Sequence, residues 1–197
     1  MPLPLPPEPS LAPSPRSSRG EGTRTRGDPD ATIWRDGAFH RDTWFSAADA
    51  EALPDVPTIV SKKRWLAERA TLAARQAPLG LRLEPGEIID DIAADLSRFA
   101  LIALGFPKFS DGRAFSTATL LRQKHGFAGE LRAVGNVLSD QIPFMRRVGF
   151  DTFEVTHAPT RRALQDGNIV EVTLHYQPAA AHEPPAGTRP WLRRTVQ

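Results

Sequence analysis

The 197-residue chain has no cysteine and a single tyrosine. Without cysteine there is no disulfide, no thiolate nucleophile, no cysteine-ligated iron–sulfur cluster and no cysteine zinc site. The motifs G-x-G-x-x-G, G-x-x-x-x-G-K-[ST] and G-x-S-x-G are absent too, and Gly126, Gly129 and Gly135 do not have phosphate-loop spacing, so no cofactor is expected. The five histidines, His40, His125, His157, His175 and His182, lack metal-ligand spacing, and no metal site is expected. His125 suits a helix end, where the dipole favours a cation. A Ser116, His157, Asp140 triad can be written down, but no spacing supports it.

Long hydrophobic runs are missing as well. The longest, around Phe99–Phe106, is far short of the roughly 20 residues that cross a bilayer. The proline-containing N-terminus has no apolar signal segment, so a cytoplasmic protein without a membrane partner is expected. Nor is there an excess of one charge. Residues 1–30 carry four Arg against four acidic residues, residues 31–182 carry 18 of each sign, and the net +2 arises from Arg189, Arg193 and Arg194 against Glu183. A neutral body lacks the basic face of a nucleic-acid binder.

What is present sorts into four parts. Residues 1–30, rich in Pro, Ser, Gly and Arg, bury too little surface to offset chain entropy and read as a disordered tail, or as an extension from a start codon placed too far upstream. Residues 31–57 hold a hairpin signal, two aromatic and β-branched segments flanking Arg35-Asp36-Gly37, and a linker. Residues 58–178 form the α/β domain, and residues 179–197 a second tail.

Within the domain, strand and helix patterns alternate. T-I-V-S (58–61) reads as a strand, followed by a helix over 62–76; L-G-L-R-L-E (79–84) is a strand, followed by an amphipathic helix built on Ile88, Ile89, Ile92, Leu96 and Phe99. The continuous apolar run 100–106 reads as a strand covered on both faces. Its following helix spans 116–125, with Ser116 as cap and Gly126 as stop. E-L-R-A-V-G (130–135) is a strand, 141–148 a helix with Asp140 as N-cap and Pro143 in its first turn, D-T-F-E-V a strand, 160–165 a helix ended by Gly167, and V-E-V-T-L-H-Y (170–176) a final strand. About six βα repeats predict a mostly parallel sheet with packed helices, either partial-barrel-like or open and doubly wound.

In both architectures ligands gather beyond the carboxyl ends of parallel strands. The residues found there are Lys108, Asp111, Gly112 and Arg113 after the 100–106 strand, Asn136 and Asp140 after 130–135, and Glu154 at the end of D-T-F-E-V. Lys108 and Arg113, with Gly112 and Asn136 beside them, form a candidate anion site, Arg by paired N–H bonds and Lys as a point charge. Asp111, Asp140 and Glu154 are the candidate acid–base groups. The competing expectation is an ordinary Asp-Gly-Arg turn, a helix cap at Asp140 and charges that pair with one another.

The stretches F-P-K-F-S-D-G-R-A-F-S, G-E-L-R-A-V-G-N-V-L-S-D-Q and G-F-D-T-F-E resemble a family of short proteobacterial proteins of unknown function. Its members are often encoded beside the haemoprotein subunit of assimilatory sulfite reductase and are frequently labelled oxidoreductases. The resemblance spans roughly residues 58–178. The family pattern has Gly-Tyr where Ala114 and Phe115 stand here, Asp at Asn136, Arg at Ser139 and an aromatic at Pro143, so a phenol and one group of each charge are missing from the expected rim. The resemblance implies a pathway rather than a reaction. It points to an accessory protein of sulfite reduction, with the haemoprotein as partner and a small oxyanion as ligand, or to a small enzyme acting on an anionic metabolite of sulfur assimilation.

Overall fold

The computed structural model describes residues 32–108 and 110–169. Residues 1–31 and 170–197 lie outside the described part, and with them both tails and the strand expected at 170–176. The Asp-Gly signal forms as expected. β1 (Thr32–Arg35) and β2 (Ala38–Arg41) pair antiparallel across Asp36 and Gly37, both at positive φ (50° and 83°), the backbone that a two-residue hairpin requires. β3 (Phe45–Ser46), β4 (Thr58–Ser61), β5 (Leu79–Leu83), β6 (Phe99–Phe106), β7 (Glu130–Gly135) and β8 (Thr152–Phe153) follow.

The sheet order is β2-β1-β8-β7-β6-β5-β4-β3. From β3 to β8 every pairing is parallel and each strand lies beside its predecessor in the chain. A doubly wound sheet reverses direction partway, and no reversal occurs among the described strands. Successive right-handed crossovers in one direction place all the helices on one face. The result is a curled half-barrel of eight strands. The hairpin joins the same sheet, β1 running antiparallel against β8 through Trp34 and Phe153.

The helices are α1 (Lys62–Ala73), a 3-10 helix (Asp90–Arg98), α2 (Arg113–Gln123), α3 (Ile142–Arg147) and α4 (Ala158–Gln165). They bury one large core with the outward side of each strand: Val60, Leu81, Ile102, Leu104, Leu131 and Phe153 from the sheet against Trp65, Ile92, Ala118, Leu121, Met145 and Leu164 from the helices. The opposite, inner face carries a smaller cluster of Ile59, Leu101, Ala103 and Val134, with Trp44 packed against it.

Three local expectations change. The amphipathic stretch after β5 winds as a 3-10 helix, and Phe99 opens β6 instead of ending a helix. This segment must return along a five-residue strand, about 17 Å long. Nine residues cover about 18 Å at the 3-10 rise but only about 13 Å as α-helix. Ile89, Ile92 and Leu96 still enter the core, whereas Ile88 is 65% exposed. Helix α2 begins at Arg113 after Gly112, so Ser116 lies inside it and caps nothing, and α3 is preceded by Gln141 rather than Asp140. Pro143 does fall in the first turn of α3.

Gly126, Gly149 and Gly167 all adopt positive φ after α2, α3 and α4. Phe127, Phe150 and Asn168 then donate back to Leu121, Met145 and Ala163, the left-handed glycine stop read from the sequence at Gly126 and Gly167 and repeated at Gly149. At the strand starts, Arg122 donates to the carbonyls of Phe127, Gly129 and Gly149 and to Asp151 Oδ2 at 2.6 Å, and Asp151 also accepts the Leu131 N–H at 2.8 Å. One guanidinium thus ties the end of α2, the entry to β7, the end of α3 and the entry to β8. Arg122→Met strands those carbonyls and should lower unfolding stability by about 3 kcal/mol, read as a reduced urea midpoint with unchanged slope. A loss under about 1 kcal/mol would mean that water replaces the knot at no cost.

Candidate functional site

The loop after β6 answers to local rules first. Lys108 O accepts the Asp111 N–H at 3.0 Å, closing a turn. Asp111 Oδ1 then accepts the Arg113 N–H at 3.3 Å, an Asx turn that supplies the capping bond Gly112 cannot. Arg113 is the first residue of α2, where a cation opposes the helix dipole. It folds back onto Asp111 as a fork, Nε to Oδ1 at 2.9 Å and Nη2 to Oδ2 at 2.7 Å. Hydrogen bonding from the Arg113 side chain, helped by the charges of Arg113 and Lys108 and opposed by desolvation, lowers the Asp111 pKa from 3.8 to about 2. The same bond raises the pKa of Arg113.

The neighbouring strand ends close around this pair. Arg113 Nη1 lies against Gly86 in the Pro85-Gly86 turn after β5, where an added Cβ would come within 2.9 Å of it. Glu84, at the end of β5, accepts from Arg82 Nε at 2.7 Å and lies over Gly105 of β6, its Oε2 2.8 Å from where a Cβ would stand. The Asn136 N–H donates to Phe106 O at 2.7 Å, which draws the end of β7 onto β6. Gly135 makes that approach possible: its φ is +98°, and a Cβ there would meet Phe106 O at 2.6 Å.

Of the residues singled out from the sequence, the structure brings Lys108, Asp111, Gly112 and Arg113 together, with Asn136 attached through Phe106. Lys108 is exposed, and its ammonium makes no hydrogen bond or ion pair among the described residues. Asp140 is exposed ahead of α3 and has no bond to this group. Glu154 follows β8, its N–H on Ala133 O at 2.9 Å, one strand beyond Asn136. His157 caps α4 through Thr160, so the triad written from Ser116, His157 and Asp140 has no partner contacts to support it. Arg82, Glu84 and Gly86 were missed, although the strand-end rule applied to L-G-L-R-L-E-P-G would have found them. Among the described residues no three His, Asp or Glu side chains are grouped to hold a metal ion.

Chemically the rim suits charge recognition better than proton transfer. A carboxylate with a pKa of about 2 stays ionised at neutral pH and is a weak base. Residues 80–187 match the family described as "Bacterial protein of unknown function (DUF934)", and the chain belongs to that family. No curated protein matches it.

The depressed pKa gives a direct check. The stability that the Asp111–Arg113 pair contributes is present above the ordinary carboxylate pKa of 3.8 and is lost as pH falls through about 2. NMR titration of the Asp111 carboxyl should give a midpoint near 2, moving up toward 3.8 in Arg113→Ala. A midpoint near 3.8 in the wild-type protein would show that the fork does not persist in solution.

Proposed function

We propose that this protein is a non-catalytic accessory protein of assimilatory sulfite reduction that holds a small oxyanion at the carboxyl-end rim of its sheet and acts on the sulfite reductase haemoprotein as partner. The observation that carries the binding half is the convergence of Lys108 and Arg113, both exposed, with the ends of β5, β6 and β7. Asp111 occupies one side of the Arg113 fork, and an incoming dianion competes with it for the guanidinium while drawing on the unpaired Lys108 charge. The pathway half rests on the resemblance of the F-P-K-F, G-E-L-R-A and G-F-D-T-F-E stretches to proteins encoded beside the haemoprotein. The other reading, a small oxidoreductase-labelled enzyme acting on an anionic sulfur metabolite, draws less support, because the best-placed carboxylate is held ionised by its arginine.

Two measurements test the two halves separately. Sulfite or sulfate should raise the melting temperature of the wild-type protein, and Lys108→Ala with Arg113→Ala should abolish that rise with little change in intrinsic stability, since exposed ion pairs add little. Equal anion stabilisation of wild type and double variant would remove the rim from the account. Deleting the gene should slow growth on sulfate as sole sulfur source, with restoration by cysteine. Undiminished growth in a strain holding no second copy would remove the pathway.

A further inference from the structure

The inner face of the sheet carries an ion group that the rim does not use. Arg132, in the middle of β7, is 1% exposed. Its Nε donates to Glu130 Oε1 at 3.0 Å and its Nη1 to Asp42 Oδ2 at 2.8 Å, and Thr152 Oγ1 donates to the same Glu130 oxygen at 2.6 Å. Nη2 lies 2.9 Å from Glu130 Oε1 but without hydrogen-bond geometry, and it is buried with no acceptor. A fully buried guanidinium with an unmatched N–H calls for an explanation. Beside it lies the apolar floor of Ile59, Leu101, Ala103 and Val134.

Both features are covered by one short piece of chain. Asp42-Thr43-Trp44 links the two edge strands, β2 and β3, and turns Asp42 onto Arg132 and Trp44 onto the floor while Thr43 stays exposed. The indole sits over Gly80, where an added Cβ would come within 3.2 Å of Trp44 Cζ3. The Trp44 N–H donates to Asp42 Oδ1 at 3.1 Å within the strap itself. No backbone hydrogen bond ties residues 42–44 to another element among the described residues.

We propose that Asp42–Trp44 is a displaceable strap over a binding site for a small planar aromatic carboxylate. The ligand's carboxylate takes the place of Asp42 on Arg132, and its ring takes the place of the indole on the floor. Exchange is neutral in charge, one carboxylate for another, so Arg132 never lies buried with fewer partners than it has now. A ligand carboxylate free of the chain can also turn its second oxygen to Nη2, which Asp42, anchored in the strap, leaves unmet. Lifting the strap gives up one ion pair and one indole contact and leaves the β4-to-β8 ladder untouched, because β2 and β3 do not pair with each other. The site lies on the inner face of the sheet, distinct from the rim at Lys108 and Arg113.

Indole-3-acetate carries the two groups that the strap supplies and serves as the probe. In the full-length wild-type protein, millimolar indole-3-acetate should shift the NMR signal of the Trp44 indole N–H, assigned from its loss in Trp44→Phe. Calorimetry should show binding about tenfold tighter to Asp42→Asn, where the competing charge is gone. Arg113→Ala should bind like wild type, which separates this site from the rim. An unmoved Trp44 signal at saturating probe overturns the proposal, and decides the matter if Asp42→Asn does not fold. An equal response to uncharged indole would also overturn it, because the apolar floor would then be taking up any ring without regard to Arg132.

Discussion

Three residues between β2 and β3 govern the shape of everything else. Laid flat, eight strands at about 4.8 Å spacing would put the outermost strands about 34 Å apart, yet β2 and β3 are those outermost strands. The chain from Arg41 to Phe45 reaches at most about 14 Å. The sheet therefore curls into a half-barrel, and the strap crosses the inner face as a chord, touching β7 through Arg132 and β4 to β6 through Trp44. Curling sets one face outward to take the helices, and it makes the other too narrow for a second layer. That is why the inner cluster is small and why a salt-bridged arginine stands where a wider sheet would need another helix.

The two ends of the sheet then divide their work. Arg122, at the strand starts, spends its N–H groups on backbone carbonyls of turns that have no ladder partner, so it holds geometry. Arg113, at the strand ends, faces solvent and makes its fork with a residue two positions away. A guanidinium anchored to distant carbonyls cannot be borrowed by a ligand without cost to the fold. One anchored to its own loop can be. The same residue type therefore plays opposite parts, and what tells the two apart is whether the partners are turn carbonyls or a carboxylate that a ligand can replace.

Strand and helix order was legible because each element carries its own period and its own glycine stop, as at Gly126 and Gly149. The expected half-barrel alternative emerged for the same reason: short glycine turns feed each strand directly into the place beside the last. Pairing was less legible. Nothing local says that Trp34 meets Phe153, or that Asp42 meets Arg132 across 90 positions of sequence. The helix over 88–99 misled because threefold and fourfold spacings both place Ile89, Ile92 and Leu96 on one side, and only the distance to be spanned selects the tighter winding. At the rim, Asp111 and Arg113 could be read as a pair from their spacing, and the strand-end rule would have added Glu84 and Gly86, whereas the packing of Arg113 against Gly86 follows from the sheet.

The placement of the hairpin also bears on how the chain acquires its structure. β4 to β8 can assemble in order, each strand adding to the one made before it. The β1–β2 hairpin, although made first, has its sheet position on β8, the last described strand. A ribosome releasing this chain therefore produces a hairpin that can close on itself at once, yet waits with the Trp34 face uncovered until Phe153 has emerged. Contacts between distant segments form slowly because the loop entropy must be lost before they repay it. The interval between synthesis of the first strand and of the eighth is when the aromatic face of β1 is open to a chaperone or to a second nascent chain.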